Sequence, residues 1–169
     1  IPAMRKDFLT DPYQVLEAKA AGAGGVLVIV TMLTDEETET LLTCARDLGL
    51  FVLLEAFDIQ DLERIGKLAG PRLAPDNAPV LCGVNCRDLK SLAVNFDRFA
   101  ALAEHLPVGL TAVAESGIQG DEEIRAIAQL GYKAALVGSA LMQSPKPVQA
   151  VARLIAAGTE QRTEMSACS

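Results

Sequence analysis

Ala114-Glu-Ser-Gly-Ile-Gln-Gly-Asp-Glu-Glu-Ile-Arg-Ala-Ile-Ala-Gln-Leu-Gly-Tyr-Lys-Ala-Ala-Leu-Val-Gly-Ser-Ala-Leu-Met142 reads as strand, tight turn, helix, strand and tight turn. Glu115-Ser116-Gly117 closes the first strand and Gly138-Ser139 the second. Glycine lets an oxyanion approach the main chain, and a helix start supplies unpaired N–H donors and a positive dipole end. Two such turns on consecutive strands point to a phosphate cradle, the site that a βα barrel forms from the loops after its last two strands. Gly117 and Gly138 can equally be ordinary turn glycines, because short glycine motifs are weak signals. The rest of the chain decides.

Working back to the N-terminus, the same unit recurs. Ile1 to Phe8 opens as a strand that becomes charged at Arg5, Lys6 and Asp7, and Asp11-Pro12 starts a helix that runs to Gly22. Gly25-Val-Leu-Val-Ile-Val30 is a β-branched run of the kind buried on both faces. Thr34 caps a helix that ends at Gly49. Phe51 to Ala56 is a strand carrying one acid, Glu55, and Asp58 caps the helix after it. Gly70 to Pro79 is rich in Pro and turn formers, which predicts an exposed insertion. Val80 to Asn85 resumes a strand, Phe96 to Glu104 is helical, and Gly109 to Ala114 leads into the opening stretch. Beyond it, Pro147 to Ala157 closes the fold as a helix, and residues 158–169 are expected to be a loose tail.

Strands alternate with helices at the roughly 25–30-residue spacing of βα units, and right-handed crossovers make such a sheet parallel. The fold class is therefore α/β, with residues 1–157 forming one domain. Half of the residues are apolar but only 4% are aromatic, so the core must be built from Ala, Val, Leu and Ile. A net charge of −7 argues against nucleic acid and requires a local positive site for any anionic substrate. No apolar run reaches the length of a membrane span and no signal-peptide pattern is present, which leaves the cytoplasm as the expected location. Cys44, Cys82, Cys86 and Cys168 do not follow disulfide-scaffold or zinc spacings, so packing accounts for them better than a metal.

The unusual polar residues collect at strand ends: Lys6, Glu55, Asn85 with Arg87, Glu115 with Ser116, and Ser139. Binding sites of parallel α/β folds lie at that edge. A lysine and a glutamate there can divide proton transfer, although an arbitrary pair is more often a plain salt bridge. Asn85 can orient a carboxylate, and Arg87 can hold one, unless it simply pairs with Asp88. The acids Glu36, Glu37, Glu122 and Glu123 read as solvated first turns of helices, and His105 as a surface residue.

Together, Met4-Arg-Lys-Asp-Phe8 with Asp11-Pro-Tyr-Gln14, Val28-Ile-Val30, Leu54-Glu55, Gly83-Val-Asn-Cys-Arg-Asp-Leu89, Ala114-Glu-Ser-Gly-Ile118 and Leu136-Val-Gly-Ser-Ala-Leu-Met142 resemble indole-3-glycerol phosphate synthase of tryptophan biosynthesis, over residues 1 to about 157. The resemblance implies a parallel (βα)8 TIM barrel, of which this chain carries the third to eighth units. It implies a carboxy-lyase that closes the ring of 1-(2-carboxyphenylamino)-1-deoxyribulose 5-phosphate with loss of carbon dioxide and water, without metal or organic cofactor. Lys6 then matches the general acid, Glu55 the base of the dehydration, Asn85 the residue orienting it and Glu115 an acid of the same network. Arg87 matches a substrate contact, Ser116, Gly117, Gly138 and Ser139 the phosphate cradle, and Phe8 a surface for the substrate's aromatic ring.

The family's first-strand glutamate and lysine have no counterpart here. Six strands cannot close an eight-stranded barrel, and open edges invite association. Either a missing N-terminal segment completes the barrel, which is the favoured expectation, or the chain associates with another. The isomerase of phosphoribosylanthranilate, another barrel of that pathway, needs a cysteine and an aspartate at strand ends and does not fit Lys6 and Glu55. The reading from outside catalysis is an inactive barrel fragment or phosphate-binding scaffold module.

Overall fold

The structure is a computed structural model that describes residues 2–69 and 79–167, leaving aside the side chains of 162–167. The expected insertion at Gly70 to Pro79 falls, but for Pro79, outside the described residues, as does Cys168. The chain packs as two compact units, residues 1–83 with 105–111, and residues 84–104 with 112–169.

The first unit holds β1 (Met4–Arg5), α1 (Pro12–Ala20), β2 (Gly25–Ile29), α2 (Asp35–Asp47), β3 (Phe51–Ala56), α3 (Ile59–Leu68) and the start of β4 (Val80–Asn85). Each helix begins where a side chain takes over orphan backbone donors. Asp11 accepts from Tyr13 N–H at 2.8 Å and Asp58 from Asp61 N–H at 2.9 Å. Thr34 caps α2 in a reciprocal box with Glu37. The strands run parallel, with Met4 opposite Gly25 and Ile29 opposite Glu55. All of β2 is buried, as its unbroken apolar run requires. Val26, Val28, Leu50, Leu53 and Leu54 form the centre of this core, each worth about 1.5–3 kcal/mol when fully buried. The first strand is shorter than expected, since Pro2 has no N–H to give a ladder. Lys6 therefore stands just past its end.

The second unit holds the end of β4, α4 (Arg98–Leu102), β5 (Thr111–Glu115, entering at Ala112), α5 (Asp121–Gln129), β6 (Ala134–Leu136), α6 (Ser139–Met142) and α7 (Pro147–Ala167). The parallel register sets Val113 opposite Ala134 and Glu115 opposite Leu136. The core is aliphatic as expected, with one aromatic cluster added in this unit. Phe99 and Tyr132 are among the largest buried side chains, with ring centroids 5.3 Å apart at 72°. Phe96 meets Phe99 edge-on at 5.1 Å, and Tyr132 Oη donates to the Phe99 carbonyl at 3.2 Å. Few aromatics occur, and three of them are concentrated in one cluster.

The helix expected from Phe96 starts at Arg98 and gives way to a tighter 3₁₀ turn at Ala103–His105, because a residue before proline, here Leu106, resists helical geometry. His105 is exposed, as read. The strand expected from Gly109 begins at Thr111, since Gly109 sits at φ 88° in a turn. The turn expected at Gly138-Ser139 continues into the four-residue α6. At the other end, the helix expected to stop at Ala157 runs on to Ala167. Gly158 does not break it. A Cβ there would lie 3.2 Å from Ile124 Cγ2, which marks a close approach of α5 and α7, and an established helix propagates cheaply through good formers.

Across the chain the strand order is β1-β2-β3-β4-β5-β6, with consecutive strands hydrogen-bonded. That is the order of successive βα units, in the α/β class expected. No described helix is long and apolar enough to cross a membrane.

Candidate active site

In the first unit, Lys6 and Glu55 meet. Lys6 Nζ lies 3.0 Å from Glu55 Oε2, with the lysine side chain 47% exposed and the glutamate side chain 2%. Their directions follow from alternation along an extended chain. Arg5 turns the other way and binds α1, donating to the Gln14 carbonyl at 2.9 Å and to Glu17 at 3.2 Å. Asp7 clasps Arg5 at 3.1 Å and accepts from Phe8 N–H at 2.9 Å, which holds its carboxyl below the ordinary range. Lys6 is thus flanked by two anchored neighbours and projects toward β3. Phe8 is exposed. Sequence reading picked out Lys6 and Phe8 but gave Arg5, Asp7 and Gln14 no part in holding them.

The second unit presents Asn85 and Glu115, both buried, at the last positions of β4 and β5. Asn85 Oδ1 accepts from Arg87 N–H at 2.9 Å, and its main-chain carbonyl accepts from Arg98 at 2.7 Å. No periodic signal links positions thirteen residues apart, so Arg98 escaped the sequence reading. Arg87 donates Nη1 to the Leu92 carbonyl at 3.1 Å. The alternative pairing of Arg87 with Asp88 is not what either side chain does. Asp88 Oδ1 instead accepts from Lys90 N–H, Ser91 N–H and Ser91 Oγ at 2.7–3.0 Å, and these bonds, the Ser91 amide first, hold its carboxyl below the usual carboxylate range. The loop closes through Cys86 O accepting from Asn95 N–H at 2.8 Å. Cys86 is buried, and that burial pushes its thiol up.

Ser116 and Gly117 both adopt left-handed backbone, φ 69° and 71°. For serine this costs on the order of 1–2 kcal/mol. Gly117 is required twice over, by its φ and because a Cβ would lie 2.7 Å from Cys86 Sγ. After β6 the situation differs. Gly138 is exposed, has negative φ and has no heavy atom within 4 Å of a Cβ position, so neither backbone nor packing demands glycine there. Ser139 beside it is exposed and opens α6.

Two of the acids read as merely solvated also cap helices. Glu37 accepts from Thr34 N–H at 2.7 Å and Glu123 from Gly120 N–H at 2.8 Å.

The family profile of indole-3-glycerol phosphate synthase matches residues 1–154. The chain belongs to the indole-3-glycerol phosphate synthase family. It is 40% identical over 166 residues to the indole-3-glycerol phosphate synthase of a Parafrankia species, covering 98% of this chain and 59% of that protein. Against that of Carboxydothermus hydrogenoformans the identity is 38% over 157 residues, covering 92% and 56%. The chain thus spans a little over half the length of these curated relatives. Among solved structures it resembles 3-hexulose-6-phosphate synthase from Salmonella typhimurium, with TM-score 0.69, 16% identity and coverage of 95% and 74%. The 3-keto-L-gulonate-6-phosphate decarboxylase of Vibrio cholerae gives TM-score 0.67, 16% identity and coverage of 93% and 71%. These likenesses support the fold, a partial TIM barrel within the indole-3-glycerol phosphate synthase family.

Proposed function

We propose that this chain carries the acid–base and phosphate-binding machinery of an indole-3-glycerol phosphate synthase. The reaction is ring closure of 1-(2-carboxyphenylamino)-1-deoxyribulose 5-phosphate with loss of carbon dioxide and water. The observation that carries the reading is the contact of 3.0 Å between half-exposed Lys6 and buried Glu55. An ammonium in contact with solvent can donate, and a carboxylate beside it can accept.

As the ring carbon attacks the ribulose carbonyl, a carbon–carbon bond forms and the carbonyl electron pair takes a proton from Lys6, giving a hydroxyl. Breaking the bond to the carboxylate releases carbon dioxide and returns its electron pair to the ring. The hydroxyl then leaves, taking a proton from solvent to become water, while Glu55 removes a proton from the neighbouring ring carbon and that C–H electron pair forms the double bond of the indole. By the family resemblance Asn85 matches the residue that orients the base, Glu115 an acid of the same network, and Arg87 the residue that contacts the substrate through its fork. Ser116, Gly117, Gly138 and Ser139 receive the phosphate, for which the open space at Gly138 and the strained backbone of Ser116 are supporting features. Phe8, exposed beside Lys6, offers an apolar surface to the aromatic ring. The same reading places the protein in the cytoplasm and needs no cofactor.

Carbon dioxide and indole fluorescence, followed separately, test the division of roles. Lys6→Ala loses both signals, whereas Glu55→Gln releases carbon dioxide and stalls before the indole forms. Equal loss of both signals in Glu55→Gln would remove it from the dehydration step.

A further inference from the structure

Asp61 and Arg64 sit one turn apart on α3; Asp61 reaches back to the turns after both β2 and β3, and Arg64 to the turn after β2. Asp61 is 4% exposed. Its Oδ2 accepts from the Thr31 hydroxyl, and also from Phe57 N–H at 3.0 Å. Its Oδ1 lies 3.9 Å from Arg64 Nη1. Arg64 donates Nη1 to the Val30 carbonyl at 2.9 Å, Nη2 to the Leu33 carbonyl at 2.7 Å and Nε to Asp35 at 2.6 Å.

Val30, Thr31 and Leu33 make the turn after β2, and Phe57 opens the turn after β3. Ile29 and Glu55 are register partners, so both turns begin within two residues of that pair. Capping does not require this arrangement, because Asp58 already caps α3. A buried carboxylate is costly to desolvate. Here it is placed where it ties together the two backbone segments that leave Glu55 and its neighbour.

We propose that Asp61 and Arg64 are positioning residues, which lock the turns after β2 and β3 together and thereby keep the Glu55 carboxylate within reach of Lys6. This rests on the reading of Glu55 as a reacting carboxylate. Hydrogen bonds weaken steeply with distance and angle, and a reacting group is useful only where its supporting shell is fixed.

Carbon-13 NMR of the chain labelled at glutamate carboxyls tests this without substrate. The Glu55 resonance is assigned by its loss in Glu55→Gln. It moves in Asp61→Ala and in Thr31→Val, and it keeps its parent position in Asp61→Asn, whose side-chain oxygen still accepts from Thr31 and Phe57. Thr31 is exposed, so Thr31→Val keeps the fold even if Asp61→Ala does not. An unmoved Glu55 resonance in folded Thr31→Val, or an Asp61→Asn spectrum that shifts like that of Asp61→Ala, overturns the proposal. If the ring-closure reading failed, the Glu55 resonance would still respond to these variants. If only the clamp failed, the resonance would stay put in a chain that still turns over substrate.

Discussion

The proposed chemistry turns on Glu55. Its side chain is 2% exposed, and desolvating a carboxylate costs several kcal/mol unless a cation and hydrogen bonds offset it. Replacing such a pair by apolar residues of similar volume is often neutral or stabilising, so stability alone gives no reason to keep it. Ser116 poses the same question on the backbone. It holds φ 69° with a side chain that resists it, where glycine would be relaxed. Ser116→Gly is expected to leave thermal stability unchanged or higher while weakening affinity for the phosphorylated substrate, as a melting curve beside KM would show. Gly117→Ala is the opposite case. With φ 71° and Cys86 Sγ 2.7 Å from the new Cβ, it should cost roughly 1–3 kcal/mol in denaturant unfolding.

At the scale of elements, the helix starts decide where the strand ends can sit. In α2 the box between Thr34 and Glu37 has a definite pH signature. Glu37 is held below its ordinary 4.5, first by the Thr34 amide and then by the Thr34 hydroxyl. A carboxyl depressed in the folded state stabilises above its unfolded value, and that contribution disappears as pH falls through the folded one. Stability should therefore lose a Glu37 contribution only below 4.5. Glu37→Gln keeps an acceptor for the box, so urea midpoints measured by circular dichroism should fall less steeply with acid in the variant. These elements were readable from sequence because their signals are local. Asp58 sits three residues before the N–H it caps, and the apolar run of β2 is unbroken. The Lys6–Glu55 contact was readable because both lie at the carboxyl ends of strands, Lys6 just past β1 and Glu55 next to last in β3. Arg98 at the Asn85 carbonyl and the edge-to-face contact of Phe99 with Tyr132 were not, since they join residues distant in sequence with no periodic mark. The end of α7 is not marked in the sequence for a related reason: helix propagation and the fit of Gly158 against Ile124 outweigh weak periodicity.

At the scale of the molecule, β1 and β6 are the outer strands of the described sheet order. Ala134 on β6 is exposed, without the charge, proline or cover that blunts natural sheet edges. Sedimentation of the chain alone should show concentration-dependent association that Ala134→Lys reduces, and identical profiles for the two would exclude this edge as the contact. Matching residues 1–154 to the family while spanning a little over half of its curated relatives leaves one question above the others. It is whether the pair in the first unit performs chemistry. The direct measurement is indole fluorescence from the chain mixed with 1-(2-carboxyphenylamino)-1-deoxyribulose 5-phosphate, beside Lys6→Ala. General acid catalysis contributes about 10²–10⁴-fold, so the rate should fall by that factor in the variant. Turnover that survives intact in folded Lys6→Ala would contradict the assignment of Lys6 and Glu55 as the acid and the base.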